Sequence, residues 1–251
     1  MTGTMCGMRL MTRNITACAE FYRSALGFMV DGPMLGLGEQ QIWLQAGTGA
    51  DYPAARASND PWFQHLAIVV NDIAAAFDHA TRHGATAIST DGPQRLPSSS
   101  GGVTAWKFRD PEGHPLELLQ FPPDATPPCW QGRDGLFLGI DHTAIVVAGT
   151  QASETFYRTL GFERAAQSHN RGPAQAALDG LAAPHVLVTA LRIPGQAVPH
   201  LELLDYLTPN APAGTWTTSD IAATRIVMSG TQPLSRDPDG HCIEGVSLAV
   251  P

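Results

Sequence analysis

The sequence predicts an α+β protein assembled from four tandem strand-helix-strand-strand-strand units, the last of them cut short. Three observations carry that prediction. A strand, helix cap, helix and glycine stop recur along the chain; a strand-turn-strand block around Asp-Pro-x-Gly occurs twice; and a histidine recurs at one fixed place in the pattern.

The first unit covers about 4–47. Met8 to Thr12 reads as a strand and Thr16 to Leu26 as a helix with Ala17, Phe21 and Ala25 on one face. Gly27 stops it, and Leu35 to Leu37 and Gln41 to Leu44 supply later strands. Gly47 to Trp62, rich in Ala, Gly, Asp and Pro, reads as a linker.

The second unit, 63–121, opens on Gln64-His65-Leu66-Ala67-Ile68-Val69-Val70, whose β-branched run predicts a strand. Asn71-Asp72 caps a helix with Ala76, Phe77 and Ala80 inward, and Gly84 ends it. The polar stretch Gly92 to Gly102 is a loop of the kind that covers a pocket. Arg109-Asp110-Pro111-Glu112-Gly113-His114 is a tight turn, with proline fixing φ and glycine taking the positive φ, and Leu116-Glu117-Leu118 is the strand it feeds.

Pro122 to Asp134 holds four prolines and is the best domain boundary, dividing 1–121 from 138–251 with 122–137 as linker. The third unit, 138–206, repeats the pattern. His142, Ala144 and Val146 share a strand face, Thr150 caps a helix whose stripe is Ala152, Phe156 and Leu160, Gln167 to Gln175 is a loop, and His200 to Leu204 is the closing strand. The fourth unit, 213–250, is damaged. Aligning Ser219-Asp220-Ile221 on Asn71-Asp72-Ile73 puts Ala213 where His65 would be, and a strand or more is missing before Arg236-Asp237-Pro238-Asp239-Gly240-His241 and Glu244.

The repeat exposes matched polar positions. His65 matches His142, while the step from Phe156 back to His142, taken from Phe21, reaches Gly7. Glu117 and Glu202 match on the closing strands; the first unit has Trp43 there and no carboxylate. Carboxylates set among Leu116, Leu118, Leu201 and Leu203 are costly to bury unless paired or metal-bound, so Glu117 and Glu202 need a partner.

Composition narrows the function classes. The 251 residues carry a net charge of −8 with an isoelectric point near 5.5, and Lys107 is the sole lysine, so there is no basic footprint for nucleic acid or anionic membrane. Cys6, Cys18, Cys129 and Cys242 show no paired spacing and the N-terminus lacks a signal-peptide layout, which points to a reduced cytoplasm. No apolar run approaches the roughly 18 residues of a bilayer span.

The repeated units, the strand histidine, the Phe-Tyr-x-x-Leu-Gly-Phe helix end and Asp-Pro-x-Gly-His-x-x-Glu together resemble the vicinal oxygen chelate superfamily, which includes glyoxalase I, type I extradiol dioxygenases and the bleomycin resistance proteins. The resemblance covers nearly the whole chain. It implies cupped mixed sheets, each made by two units, with first-strand and last-strand positions surrounding a divalent metal. Pairing the second unit with the third gathers His65, Glu117, His142 and Glu202 in one cavity, and we prefer it; pairing in sequence leaves no cavity with two histidines. Two imidazoles with carboxylates suit Zn, Ni, Co, Mn or Fe(II).

The activity so implied is that of a metal-dependent lyase or isomerase of the glyoxalase type, acting on a small oxygenated substrate through an anionic intermediate, with Glu117 or Glu202 as proton shuttle. The alternatives are an Fe(II) extradiol ring-cleaving dioxygenase and a non-catalytic drug-binding protein. A monomer and a homodimer are both compatible with four units. Among weaker candidates, His200 shares the strand parity of Glu202, His169, Asn170 and Arg171 lie in the third unit's loop, and His185 and Lys107 flank strands. His114 and His241 read as structural turn residues, and Glu244 as a relic that faces water or meets an arginine.

Overall fold

The structure is a computed structural model and describes residues 3–212 and 214–246. The first unit comprises β1 (Met5–Thr12), α1 (Ile15–Leu26), β2 (Met29–Asp31), β3 (Met34–Leu37) and β4 (Gln40–Ala46). The second comprises β5 (Phe63–Val70), α2 (Ile73–Arg82), the short β6 (Thr86–Ala87) and β7 (Gln94–Arg95), β8 (Thr104–Arg109) and β9 (Pro115–Gln120). The third comprises β10 (Phe137–Val147), α3 (Thr150–Thr159), β11 (Glu163–Arg171), α4 (Pro173–Asp179), β12 (His185–Arg192) and β13 (His200–Thr208). Among the described residues the fourth keeps only β14 (Arg225–Ser229), β15 (Ser235–Arg236) and β16 (Cys242–Val246).

In every unit the first and last strands lie side by side and parallel: β1 with β4, β5 with β9, β10 with β13 and β14 with β16. Two mixed sheets result. One runs β15-β16-β14-β1-β4-β3-β2 and joins the first and fourth units; the other, of nine strands, runs β11-β12-β13-β10-β5-β9-β8-β6 with β7 also paired on β8, and joins the second and third. Each sheet therefore draws on both sides of the 122–137 segment, so the sheets do not follow the division into 1–121 and 138–251. Consecutive units are joined instead by their helices and turns. The buried Tyr22 of α1 donates to Asp110 in the second unit's turn, and Tyr157 of α3 donates to Asp237 in the fourth's, at 3.3 and 2.9 Å.

The turn blocks are near copies. Asp110 Oδ1 accepts from the amides of Glu112 and His114, Asp237 Oδ1 from those of Asp239 and His241, and the two imidazoles reach the Met11 and Val146 carbonyls. These histidines are structural, as their turn positions imply.

Several local expectations are corrected. Gly149, not Thr150, is the N-cap of α3; Thr150 is its first helical residue and donates to Asp205. The inward stripe of α3 is Thr150, Ser153, Glu154 and Tyr157, because the phenol of Tyr157 is drawn to Asp237 and Arg164 supplies a partner for Glu154. In α1 the buried face is Cys18, Phe21, Tyr22 and Ala25, with Ala17 outside. Gln167 to Gln175 is no loop: β11 extends through Arg171, Gly172 takes a positive φ of 95°, and Pro173 starts α4.

Among the described residues the fourth unit has three strands where the first has four, as the short step to Arg236 implies, and it has lost its helix as well. Asp220 caps nothing helical; its carboxylate binds the Thr217 and Ala50 amides. Ala213 lies outside the described residues, and register assigns its supposed role elsewhere. In the second and third units the histidine stands two residues before the strand partner of the glutamate: Ala67 pairs with Glu117 and Ala144 with Glu202. The same step from Val227, partner of Glu244, leads to Arg225, and from Arg9, partner of Trp43, to Gly7. Among the described residues no helix is long and apolar enough to cross a membrane.

Candidate metal centre

The antiparallel seam between β5 and β10 brings His65 and His142 together, their rings edge to face at 71°. Their Nε2 atoms are 3.0 Å apart, and His65 Nε2 is 3.1 Å from Glu117 Oε2 on the neighbouring β9. The ligand atoms of His65, Glu117 and His142 all lie within 4.8 Å of one another, and all three residues are buried. Glu202 stands slightly apart on β13. Its Oε2 is 3.6 Å from His142 Nε2 and its Oε1 is 3.6 Å from His200 Nε2.

Bulges in the two strands aim the histidines. Register steps past Asp141 on β10 and past Gln64 on β5, leaving each as an extra residue directly before its histidine. An extra residue breaks the alternation of faces and re-aims a side chain. Asp141 Oδ2 thereby accepts from His142 Nδ1 at 3.0 Å, and Gln64 Oε1 bonds His65 Nδ1. Gln64 is fixed in that sense because its amide nitrogen donates to Ser58 O and reaches Tyr206 Oη. Asp141 is held by Trp130 Nε1 at 2.9 Å.

With both Nδ1–H groups spent outward, each neutral imidazole turns an Nε2 lone pair toward the other and toward Glu117. Acceptors converging at about 3 Å are stable only around a cation, whether proton or metal. The electrostatics agree. Burial works against a charged His142, but the Glu202 and Asp141 carboxylates outweigh it and raise its pKa to about 9. His65 is pushed well below its ordinary value by burial and then by Lys107 and His142. Burial pushes Glu117 up to about 7, against the pull of Lys107 and His142. Despite burial, the bond from His142 holds Asp141 down to about 2, and His142 lowers Glu202. A nitrogen and carboxylate donor set of this kind suits a divalent metal of the zinc-to-iron range, and the outward Nδ1 bonds are the supports such ligands use.

The cluster opens into a cavity of about 760 Å³ within the nine-stranded sheet. His65, Glu117, His142, Glu202 and His200 all line it, as do Lys107, Asn170 and Ser99 to Gly101 of the polar loop. His200 Nδ1 is buried without a hydrogen-bond partner. Lys107 is 4 % exposed and binds Asp179 Oδ1 at 2.7 Å; that carboxylate outweighs burial and raises the lysine's pKa. His169 and His185 instead form an exposed pair, 2.9 Å apart across β11 and β12, and Arg171 is exposed. Glu244 lies in the other sheet, bonded by Arg9 and by Arg225 at 2.9 Å.

Sequence reasoning missed Gln64, Asp141 and Asp179. The first two carried a signal: a polar residue directly before each repeated histidine, out of step with the apolar alternation. Asp179 carried none, since only the packing of α4 against β8 brings it to Lys107.

Residues 8–119 match the model of a family described as glyoxalase-like domain. The fold is similar to that of glyoxalase I from Zea mays, with 15% identity over 98% of this chain and 92% of that one and a TM-score of 0.64. It is similar also to a candidate dioxygenase from Bacillus subtilis subsp. subtilis str. 168, at 12% identity over 97% and 86% of the two chains and a TM-score of 0.56. At these identities the likeness is one of fold. No curated protein matches the chain in sequence.

Proposed function

We propose that this protein belongs to the vicinal oxygen chelate superfamily and is a metal-dependent enzyme of the glyoxalase type, a lyase or isomerase of a small oxygenated substrate; the glyoxalase-like domain match over residues 8–119 and the glyoxalase I fold support the reading. The observation that carries the reading is the convergence of His65 Nε2, His142 Nε2 and Glu117 Oε2 on one point in a cavity wall. His65, His142 and Glu117 would hold the ion, with Glu202 as a fourth, more loosely placed donor. A divalent ion there supplies Lewis-acid polarisation of two adjacent substrate oxygens.

The chain supplies the rest. Glu117, buried beside His65 in the cavity wall, is placed to take a proton from a substrate and return it. Glu202, set between His142 and His200, is the second carboxylate that can move a proton. Gln64 and Asp141 keep both imidazoles in one tautomer. Leu119, Val186, Val188 and Leu204 give the cavity an apolar wall that excludes water from the reacting atoms.

A second reading has one observation in its favour. Glu202 stands back from the tight group, so two histidines and one carboxylate remain, a set suited to Fe(II) and ring-cleaving oxygen chemistry. Elemental analysis of protein purified without a chelating tag tests both. Near-stoichiometric Ni, Co, Zn or Mn, lost in His65→Ala and His142→Ala, supports the lyase or isomerase; iron with turnover of catechols supports the dioxygenase. No metal uptake after reconstitution would sink both.

A further inference from the structure

The cavity has a second polar feature that the metal centre does not use. Asp179, at the end of α4 and 1 % exposed, holds three side chains on one carboxylate. Lys107 Nζ donates to Oδ1 at 2.7 Å, and Gln175 Nε2 and Tyr206 Oη donate to Oδ2 at 2.9 and 3.2 Å. Lys107, Gln175 and Tyr206 all line the cavity.

Two of these groups have unspent bonding capacity. An ammonium has three N–H donors, and among the described residues Lys107 spends only one of them. Gln175 is 5 % exposed, and its Oε1 is buried with no partner. A buried acceptor left bare costs free energy until something donates to it. The carboxylate thus presents a donor and an acceptor together on a wall that is otherwise largely apolar.

We propose that Lys107 and Gln175, anchored by Asp179, form a recognition pole for a neutral substrate group that both accepts and donates a hydrogen bond, a hydroxyl or an amide. Such a group takes an N–H from Lys107 and gives its own hydrogen to Gln175 Oε1. A carboxylate cannot donate to Gln175 and meets the charge of Asp179, which already neutralises Lys107. An ammonium meets Lys107. The assignment rests on the metal-centre reading in one respect: it describes the substrate whose adjacent oxygens would sit at His65, Glu117 and His142. That substrate has an apolar body and a hydroxyl or amide beside its oxygenated end.

The test uses aromatic probes titrated into the full chain: toluene, phenol, benzamide and benzoate, followed by calorimetry or chemical-shift changes. Phenol and benzamide should bind about tenfold more tightly than toluene and benzoate, and whichever of the two is tighter separates hydroxyl from amide. Gln175→Met should abolish the preference, and Tyr206→Phe, which leaves Lys107 and Gln175 in place, should keep it. Toluene binding as well as phenol and benzamide in the unmodified protein overturns the proposal without any variant; so does a preference that survives Gln175→Met or disappears in Tyr206→Phe. Each titration is repeated after chelation and after adding Zn²⁺. A protein that takes no metal yet shows the preference loses the enzyme reading and keeps this pole; one that takes metal without the preference loses the pole alone.

Discussion

The two sheets share one strand frame and differ in what stands at matched positions along the seam. In the nine-stranded sheet those positions hold His65, Glu117, His142 and Glu202, and the strand partners of the glutamates are Ala67 and Ala144, too small to reach them. In the seven-stranded sheet they hold Gly7, Trp43, Arg225 and Glu244, and the positions matching the alanines hold Arg9 and Val227. Arg9 and Arg225 clasp Glu244, so its charge is met within the protein. A histidine could not return at Gly7, whose φ is +146° and where a Cβ would lie 2.0 Å from the Gln41 carbonyl oxygen. The difference is one of charge closure: one sheet presents lone pairs and carboxylates that call for an added cation, and the other supplies its own.

That contrast can be broken at either end. Removing a central imidazole, by His65→Ala or His142→Ala, should weaken metal binding by more than about 100-fold, since even an outer support is worth 10–100-fold; competition titration with a chromophoric chelator measures it. Glu244→Ala should leave metal affinity unchanged and lower stability by about 3 kcal/mol, because two guanidinium groups lose their shared counter-charge. Denaturant unfolding checks this, and a change in metal content would refute the division of roles.

Smaller effects sharpen the comparison. Asp141→Asn should cost roughly 10–100-fold in metal affinity by releasing the His142 ring, with little effect on folding. Tyr22→Phe and Tyr157→Phe should each cost about 1 kcal/mol and nearly equally, because they make the same bond to the two turn aspartates. The smallest effect is that of His114. Burial opposes its charge, but Asp110 at 2.9 Å raises its pKa above the ordinary 6.5. The folded chain holds that proton more tightly than the unfolded one, so the stabilisation is complete below about pH 6.5 and is lost as pH rises through the raised value. His114→Asn should flatten the pH dependence of stability in that range.

The sequence by itself determined the repeat, the turn blocks and the two histidines with their glutamates, because strand alternation and Asp-Pro-x-Gly turns are local physics that the residues carry with them. His142, Ala144 and Val146 share a face whatever packs beside them. Ala213, taken for the fourth unit's site position, shows the limit of that reading: it leaned on a helix cap in a unit with no helix among the described residues, and only pairing of β14 with β16 assigned the role to Arg225. Tertiary structure alone decided that units join second to third and first to fourth, that Asp141 and Gln64 are bulge residues turned onto the histidines, and that Asp179 gathers Lys107, Gln175 and Tyr206. Each of these depends on register between strands distant in the chain, and a register is fixed by the sum of side chains packed across the seam rather than by any residue's own preference.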